Sequence, residues 1–299
     1  MATLRDILRR ITAVKNTSKI TQAMKMVAAA QLKRAQRATE SARPYVLKLE
    51  DMMSNLVAAV GEEYSHPMTL KHKEIRSVAM IIISSDRGMC GSFNANLIRV
   101  VNDYIKDQFP IDYPNATLDL IPVGRKAVSF FKKTKHHIAK GFPNVFIKLN
   151  FTAAKDIVEV FKSGYIKGDY DKVVIFFNEF INVLKQLPTL KVLLPIESRP
   201  GEISKKGKTG FKTDYIFEPD KESILDELLP KLVDIQVWRT MLESNAAEQA
   251  ARMVAMDNAT TNAIELIKAL ELQYNKARQA SITKEMLEIV SGAEALKKG

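Results

Sequence analysis

Between Lys221 and Ser291 the chain contains one proline, Pro230, and no glycine. Ala, Leu, Met, Glu, Gln and Lys dominate there, and these are good helix formers. Apolar residues return at helical spacing: Leu225, Leu228, Leu229, Leu232, Leu242, Ala246, Met253, Met256, Ala263, Leu266, Ile267, Leu270 and Tyr274. A helix of roughly 70 residues at 1.5 Å per residue is about 105 Å long. No compact domain of this size has a core that deep. Such a length belongs to a coiled coil, a membrane span or a helical repeat. Charges such as Arg239, Glu243, Glu248, Arg252, Asp257 and Glu265 interrupt the stretch too often for a span. No internal repeat is visible, so a coiled coil leads, and it needs a partner stripe.

Residues 1–60 supply that stripe. Thr3 followed by Asp6 resembles a capping box with Asp in place of Glu or Gln. Leu4, Ile7, Leu8, Ile11, Val14, Ile20, Met24, Val27, Ala28, Leu32, Ala35, Ala38 and Ala42 follow at helical spacing. Pro44 is the expected kink. The two ends of the chain are expected to wind around each other as an antiparallel pair. Alanines such as Ala28, Ala35, Ala246 and Ala250 would let the backbones approach closely. Two ordinary surface helices are the plainer alternative, against which their lengths argue.

The grammar changes between residues 75 and 198. Strands are expected at Val78–Ser84, Leu118–Val123, Val145–Leu149, Lys172–Phe177 and Leu190–Pro195. Helices are expected at Ala95–Gln108, Gly124–Lys135 and Ala153–Ser163. Strands alternating with helices mean βαβ units and a mostly parallel sheet. The expected fold is therefore a Rossmann-like α/β domain inserted between two long wound helices. Residues 61–73 read as a linker, 199–219 as a flexible loop rich in Gly, Lys and Thr, and 220–299 as the C-terminal helix.

Charge adds a constraint on partners. The net charge is +11, and residues 1–50 hold eleven Lys/Arg against three acids. Residues 220–299 hold ten against thirteen. A basic chain points to nucleic acid, a membrane surface or an acidic protein. Residues 1–50 carry one aromatic, Tyr45, so they offer no stacking platform for bases. Arg5, Arg9, Lys15, Lys19, Lys33, Arg34 and Arg37 circle the helix, which suits a shaft surrounded by acidic protein better than a groove binder.

Candidate chemistry is thin. The loop Asp86-Arg87-Gly88-Met89-Cys90-Gly91-Ser92-Phe93-Asn94 follows the first strand but lacks a phosphate-loop or dinucleotide fingerprint. A tight turn, with Asp86 paired to Arg87 or backbone amides, is the expected reading. His66, His72, His136 and His137 show no zinc spacing, and no Ser/His/Asp set can be assembled. Cys90 is the one cysteine, which fits a reducing compartment. No secretory signal opens the chain. Two stretches, Ile20–Ala28 and Asn275–Glu285, carry polar residues where a simple seam would be apolar, and read as a loose supercoil or a contact band for a third partner.

The residues of those stretches carry a resemblance. ITKEMLEIVSGAEAL from Ile282, EQAARMVAMDNAT from Glu248, KITQAMKMVAAAQL from Lys19, SSDRGMCGSFNANL from Ser84 and YNKARQASIT from Tyr274 resemble the gamma subunits of F-type ATP synthases, in order along the chain. The resemblance implies a non-catalytic rotor shaft without a cofactor, one copy per complex. It implies a ring of three alpha and three beta subunits around the coil, with epsilon (delta in mitochondria) and a membrane ring of c subunits below. Membrane contact would be indirect and nucleic acid not involved. It implies a place on the cytoplasmic face of a bacterial inner membrane, or the matrix side of the mitochondrial one. By resemblance, Met24, Lys25, Arg252, Gln279 and Thr283 match contacts to the beta subunits, and Ile289, Val290, Ala293 and Leu296 match the bearing tip. The lysine-rich loop at 203–212 departs from the pattern, and no paired-cysteine insert is present. A dimeric α/β enzyme and a nucleic-acid-binding coiled coil remain the competing classes.

Overall fold

The computed structural model describes residues 3–60, 66–70, 72, 74–196, 218 and 220–297. In chain order the elements are α1 (Leu4–Val60), β1 (Ser77–Ile83), α2 (Phe93–Asp103), a π turn (Tyr104–Gln108), α3 (Phe109–Asp112), β2 (Thr117–Val123), α4 (Arg125–Phe131), β3 (His137–Ile138), α5 (Phe151–Lys167), β4 (Lys172–Phe180), β5 (Gln186–Leu194) and α6 (Lys221–Lys297). Contacts divide the chain into two compact units, residues 1–28 with 252–299, and residues 29–251. The division falls inside α1 and α6, so the lower parts of both helices group with the α/β domain. Most of the expected loop at 199–219, and much of the linker at 61–73, lie outside the described residues.

The unit of residues 29–251 is a three-layer sandwich. Its sheet runs β3-β2-β1-β4-β5, parallel throughout except for β5. Successive residues of a strand point to opposite faces, so a strand covered on both sides must be apolar throughout. Val78, Met80 and Ile82 of β1 face a core shared with Leu97 and Val101 of α2, Phe109 of α3 and Phe131 of α4. Ala79, Ile81 and Ile83 face the other core. There Ile157 and Phe161 of α5 meet Val46, Leu49, Met53 and Leu56 of α1 and Leu225, Leu229, Val233 and Met241 of α6. The inserted domain is thus assembled around the helices that frame it, and α6 is shielded here on more than one side.

Two elements differ from expectation. Val145–Leu149 forms a turn, and the third strand is His137–Ile138, paired with Asp119 and Leu120. The helix expected to reach Lys135 ends at Phe131. The turn at Val145–Leu149 is set by Asp86 and Asn144. Asn144 takes a left-handed φ of 66°, and the Asp86 carboxylate accepts the backbone amides of Asn144 at 2.8 Å and Phe146 at 2.7 Å. Amides held by a carboxylate cannot join a ladder, so Val145, Phe146 and Leu149 pack on the core as a turn.

Candidate contact surface of the helical pair

The unit of residues 1–28 and 252–299 is built from the two helix ends alone. A reciprocal capping box opens α1: the Asp6 amide donates to Thr3 Oγ1 at 3.3 Å, and the Thr3 amide donates to Asp6 Oδ2 at 3.1 Å. The Thr3 hydroxyl, which donates to Asp6 Oδ2 at 2.6 Å, and then the Thr3 amide hold the Asp6 carboxyl below its usual pKa. The shielded α1 positions are Leu4, Ile7, Ile11, Val14, Ser18, Thr21, Met24, Lys25 and Ala28. From Thr260 onward the shielded α6 positions are Thr260, Ala263, Ile267, Leu270, Tyr274, Ala277 and Ser281. Spacing that alternates three and four residues is the seam of a left-handed supercoil.

Polar contacts across the seam define its direction. Lys15 Nζ lies 2.9 Å from Glu271 Oε1, and Lys25 Nζ lies 2.6 Å from Asp257 Oδ1. Between them the hydroxyls of Thr21 and Thr260 lie 2.8 Å apart. Residue numbers rise on one helix as they fall on the other, so the pair is antiparallel. Leu4 opens α1 at the level where the α6 seam ends, near Ser281. Residues 282–293 of α6 are exposed throughout, since no part of α1 reaches them.

Large apolar side chains face outward. Leu8, Ile20, Met26 and Val27 on α1, and Ile264, Leu266, Leu272, Ile282, Met286 and Leu287 on α6, are all exposed. Several of these, including Leu8, Ile20, Val27 and Leu266, had been expected in the interior stripe. A two-helix seam is narrower than the apolar face of a globular helix, so they fall outside it. Ser18 and Thr21 take seam positions instead.

The residues singled out by resemblance fall in three groups. Met24 and Lys25 are half-buried on α1, with Lys25 engaged by Asp257. Arg252 is buried, at 8% exposure. Gln279 and Thr283 are exposed one turn apart, and the Thr283 hydroxyl donates to the Gln279 carbonyl at 2.9 Å. Ile289 and Val290 are 72% and 59% exposed, and Ala293 is exposed. Leu296 belongs to the last turn of α6, and its side chain lies outside the described residues. Sequence reasoning missed Lys15, Glu271, Asp257 and the two threonines as seam partners. The spacing of Leu4, Ile7, Ile11 and Val14, continued by alternate threes and fours, would have led to Ser18 and Thr21.

The loop after β1 is occupied by its own backbone. Besides the two amides of the 144–146 turn, Asp86 Oδ1 accepts the Arg125 amide at 2.8 Å. Ser84 Oγ accepts the Ala127 amide at 2.8 Å and donates to the Val123 carbonyl at 3.1 Å. Cys90 and Phe93 pack on Ala247 of α6. His137 meets Asp119 at 2.8 Å, where Tyr170 also donates, and His72 meets Asp171 at 3.2 Å, which also accepts the amides of Arg76 and Ser77. Among the described residues no group of His, Cys, Asp and Glu could hold a metal ion, and no helix is long and apolar enough to cross a membrane.

A two-helix antiparallel coil with apolar side chains turned outward, in a chain that also folds a three-layer α/β unit between its two long helices in sequence, is the architecture of a central-stalk subunit. A sequence profile of the ATP synthase family matches residues 3–296. The gamma chain of Chlorobium limicola is 46% identical over 297 residues, covering 99% of this chain and 100% of that one. The gamma chain of Prosthecochloris aestuarii is 48% identical over 296 residues, covering 99% of each. The chain belongs to the ATP synthase gamma chain family. Among solved structures, a central stalk and c-ring of the Tetrahymena thermophila mitochondrial ATP synthase matches with a TM-score of 0.60 at 25% identity, covering 80% of this chain and 99% of that one. A chain of the Euglena gracilis mitochondrial F1 and c-ring assembly shares the fold, with a TM-score of 0.69 at 20% identity over 99% of this chain and 95% of that one.

Proposed function

We propose that this chain is the central rotor shaft of a bacterial F-type ATP synthase, non-catalytic itself, turning with a membrane c-ring and imposing successive conformations on a surrounding ring of alpha and beta subunits. The observation that carries the reading is the set of large apolar side chains left exposed on both helices of the unit of residues 1–28 and 252–299. Threonine and serine lie in its seam while Ile20, Met26, Val27, Ile264, Met286 and Leu287 face outward. Large apolar side chains left exposed along both helices are surface that a protein partner would cover. Apolar contacts are non-directional, so a sleeve that grips through them can let the shaft turn. Family membership supplies the identity of the sleeve, and bacterial relatives support a peripheral position on the cytoplasmic face of the inner membrane.

In this reading residues 1–60 and 220–299 form the shaft, 75–198 the body beside epsilon and the c-ring, and 199–219 the connection. Met24, Lys25, Gln279 and Thr283 meet the beta subunits, Arg252 supports that contact from within the pair, and Ile289, Val290, Ala293 and Leu296 turn in the bearing. The Asp86 loop is a structural clasp, which fits a subunit without a nucleotide site. The test is affinity purification of the tagged chain. It should bring down a nucleotide-hydrolysing complex in substoichiometric amount, one shaft per ring, while the chain alone hydrolyses no ATP. Recovery of the chain as an active homodimer would overturn the reading.

A further inference from the structure

Within the unit of residues 29–251, helices α1, α5 and α6 enclose a cleft of about 520 Å³ that the rotor reading does not use. Small-molecule sites occupy roughly 300–1,000 Å³. The walls are aromatic: Trp238 of α6, Phe151 of α5 and Tyr45 of α1, with buried Val46 and Ile235 beneath. Trp238 and Phe151 meet edge to face, ring centres 6.0 Å apart at 87°, so each fixes the other. Phe151 is also the first residue of α5, whose N-cap Asn150 accepts the Ala153 amide at 2.9 Å. Yet Tyr45 is 62% and Phe151 38% exposed. Aromatic surface that is already ordered and still wet gives a ligand apolar contact at little entropic cost.

The charges of the lining select the ligand. Lys155 and Lys231 both line the cleft, and Lys155 Nζ stands 5.3 Å from the centre of the Phe151 ring. The first turn of α5 brings the positive end of its dipole to the same rim. Lys231 is met by Glu227 at 2.6 Å, an exposed pair one turn apart that separates at little cost. Asp234, the acid of the lining, is faced by Lys162 and Lys155, with Glu159 opposing them, and burial raises its carboxyl pKa against the pull of the lysines. An organic cation would have to displace Lys155 from the Phe151 ring, whereas an anion meets two ammonium groups. We propose that this cleft is a binding site for a small aromatic anion, its ring seated against Trp238 and Phe151 and its acidic group met by Lys155 and Lys231.

Trp238 is the only tryptophan of the sequence, so its fluorescence in the full chain reports the cleft. The probes are naphthalene-2-sulfonate and its cationic counterpart 2-naphthylmethylammonium, with quenching of Trp238 checked by equilibrium dialysis. The sulfonate should bind at least tenfold more tightly than the ammonium. Lys155→Met with Lys231→Met keeps the aliphatic stems and removes both charges, and should raise the Kd of the sulfonate at least tenfold. Lys132→Met with Lys133→Met, exposed lysines that do not line the cleft, should change it less than twofold. Ala42→Leu, at the smallest side chain of the lining, should fill the cleft and abolish quenching by either probe. Circular dichroism checks that the variants remain folded. Equal affinity for the two probes, equal losses in the two lysine pairs, or undiminished binding to the Ala42→Leu chain would each overturn the proposal. So would absence of sulfonate binding, and shielding of Trp238 on assembly into the complex would then give the cleft to a side chain of another subunit.

Discussion

Thr21 and Thr260 hold their hydroxyl oxygens 2.8 Å apart across the helix pair, inside a seam whose other positions are largely apolar or small. Thr260 Oγ1 also lies 2.8 Å from the Met256 carbonyl, and Thr21 Oγ1 3.0 Å from that of Ser18. With one proton each, the hydroxyls form a short chain in which one donates across the seam while the other donates to its own helix carbonyl. Thr21→Val alone should destabilise the pair by about 1 kcal/mol. Thr21→Val with Thr260→Val should cost less than the sum of the singles, since two isosteric methyls then meet. Amide hydrogen exchange over residues 15–28 reads the difference, and additive losses would count against a direct coupling.

Asp86 has three backbone amides on its carboxylate and is 5% exposed. Asp86→Ala leaves those donors without their acceptor in a buried place. The loss should be about 3–5 kcal/mol, read as a lowered thermal midpoint of the α/β unit. Arg87→Ala beside it, at an exposed position, should change the midpoint little.

Gly124 and Gly168 share a left-handed backbone, with φ of 89° and 84°. Their surroundings separate them. A Cβ on Gly124 would stand 2.2 Å from the Ser84 carbonyl oxygen, while one on Gly168 meets nothing within 4 Å. Gly168→Ala should therefore cost about 1–2 kcal/mol, the left-handed penalty alone. Gly124→Ala must also push β1 from β2, and should lower soluble yield and thermal midpoint markedly more.

Glu243 lies on the wall between α1, α6 and the end of β4, and burial raises its carboxyl pKa against the opposing pull of Lys191. A carboxyl with a raised folded pKa keeps its proton more tightly in the folded chain than in the unfolded one. Its contribution is most favourable at low pH and is lost as pH rises from the unfolded value near 4.5 through the folded value. Glu243→Gln should thus be more stable than the parent at neutral pH, with the gain shrinking below about pH 4.5. Urea unfolding at pH 4 and pH 7.5 measures both ends, and a gain that grows on acidification would reverse the assignment.

Arg252 is buried within the chain, whereas Gln279 and Thr283 are open to a partner. Gln279→Ala should lower coupling between proton flow and ATP synthesis without changing the melting of the isolated chain. Arg252→Ala should lower both. Membrane vesicles carrying each variant, assayed for synthesis against proton pumping, distinguish the two roles. Unimpaired coupling in both would remove these residues from the contact.

The long helices were legible because composition alone decides them: seventy residues without glycine admit little else. Strands β1 and β4 were legible because strands buried on both faces read as unbroken apolar runs. His137–Ile138 was not, since two residues carry no period and its ladder is set by β2. Val145–Leu149 misled because its apolar side chains do reach the core, while its amides answer to Asp86, nearly sixty residues earlier. In the seam, counting every apolar residue as interior drew too wide a stripe and hid Ser18 and Thr21. The candidate contacts came from motif likeness, and nothing in their spacing distinguished buried Arg252 from exposed Gln279.

Where α1 begins at Leu4, α6 loses its companion and continues alone to Lys297. Resistance to bending grows steeply with the breadth of a beam, so a solitary helix yields sideways far more readily than a doubled one. Lateral load applied at the extremity is absorbed within those last turns before it reaches the twinned portion. The unpaired turns of α6 are thus the most compliant part of this helical pair.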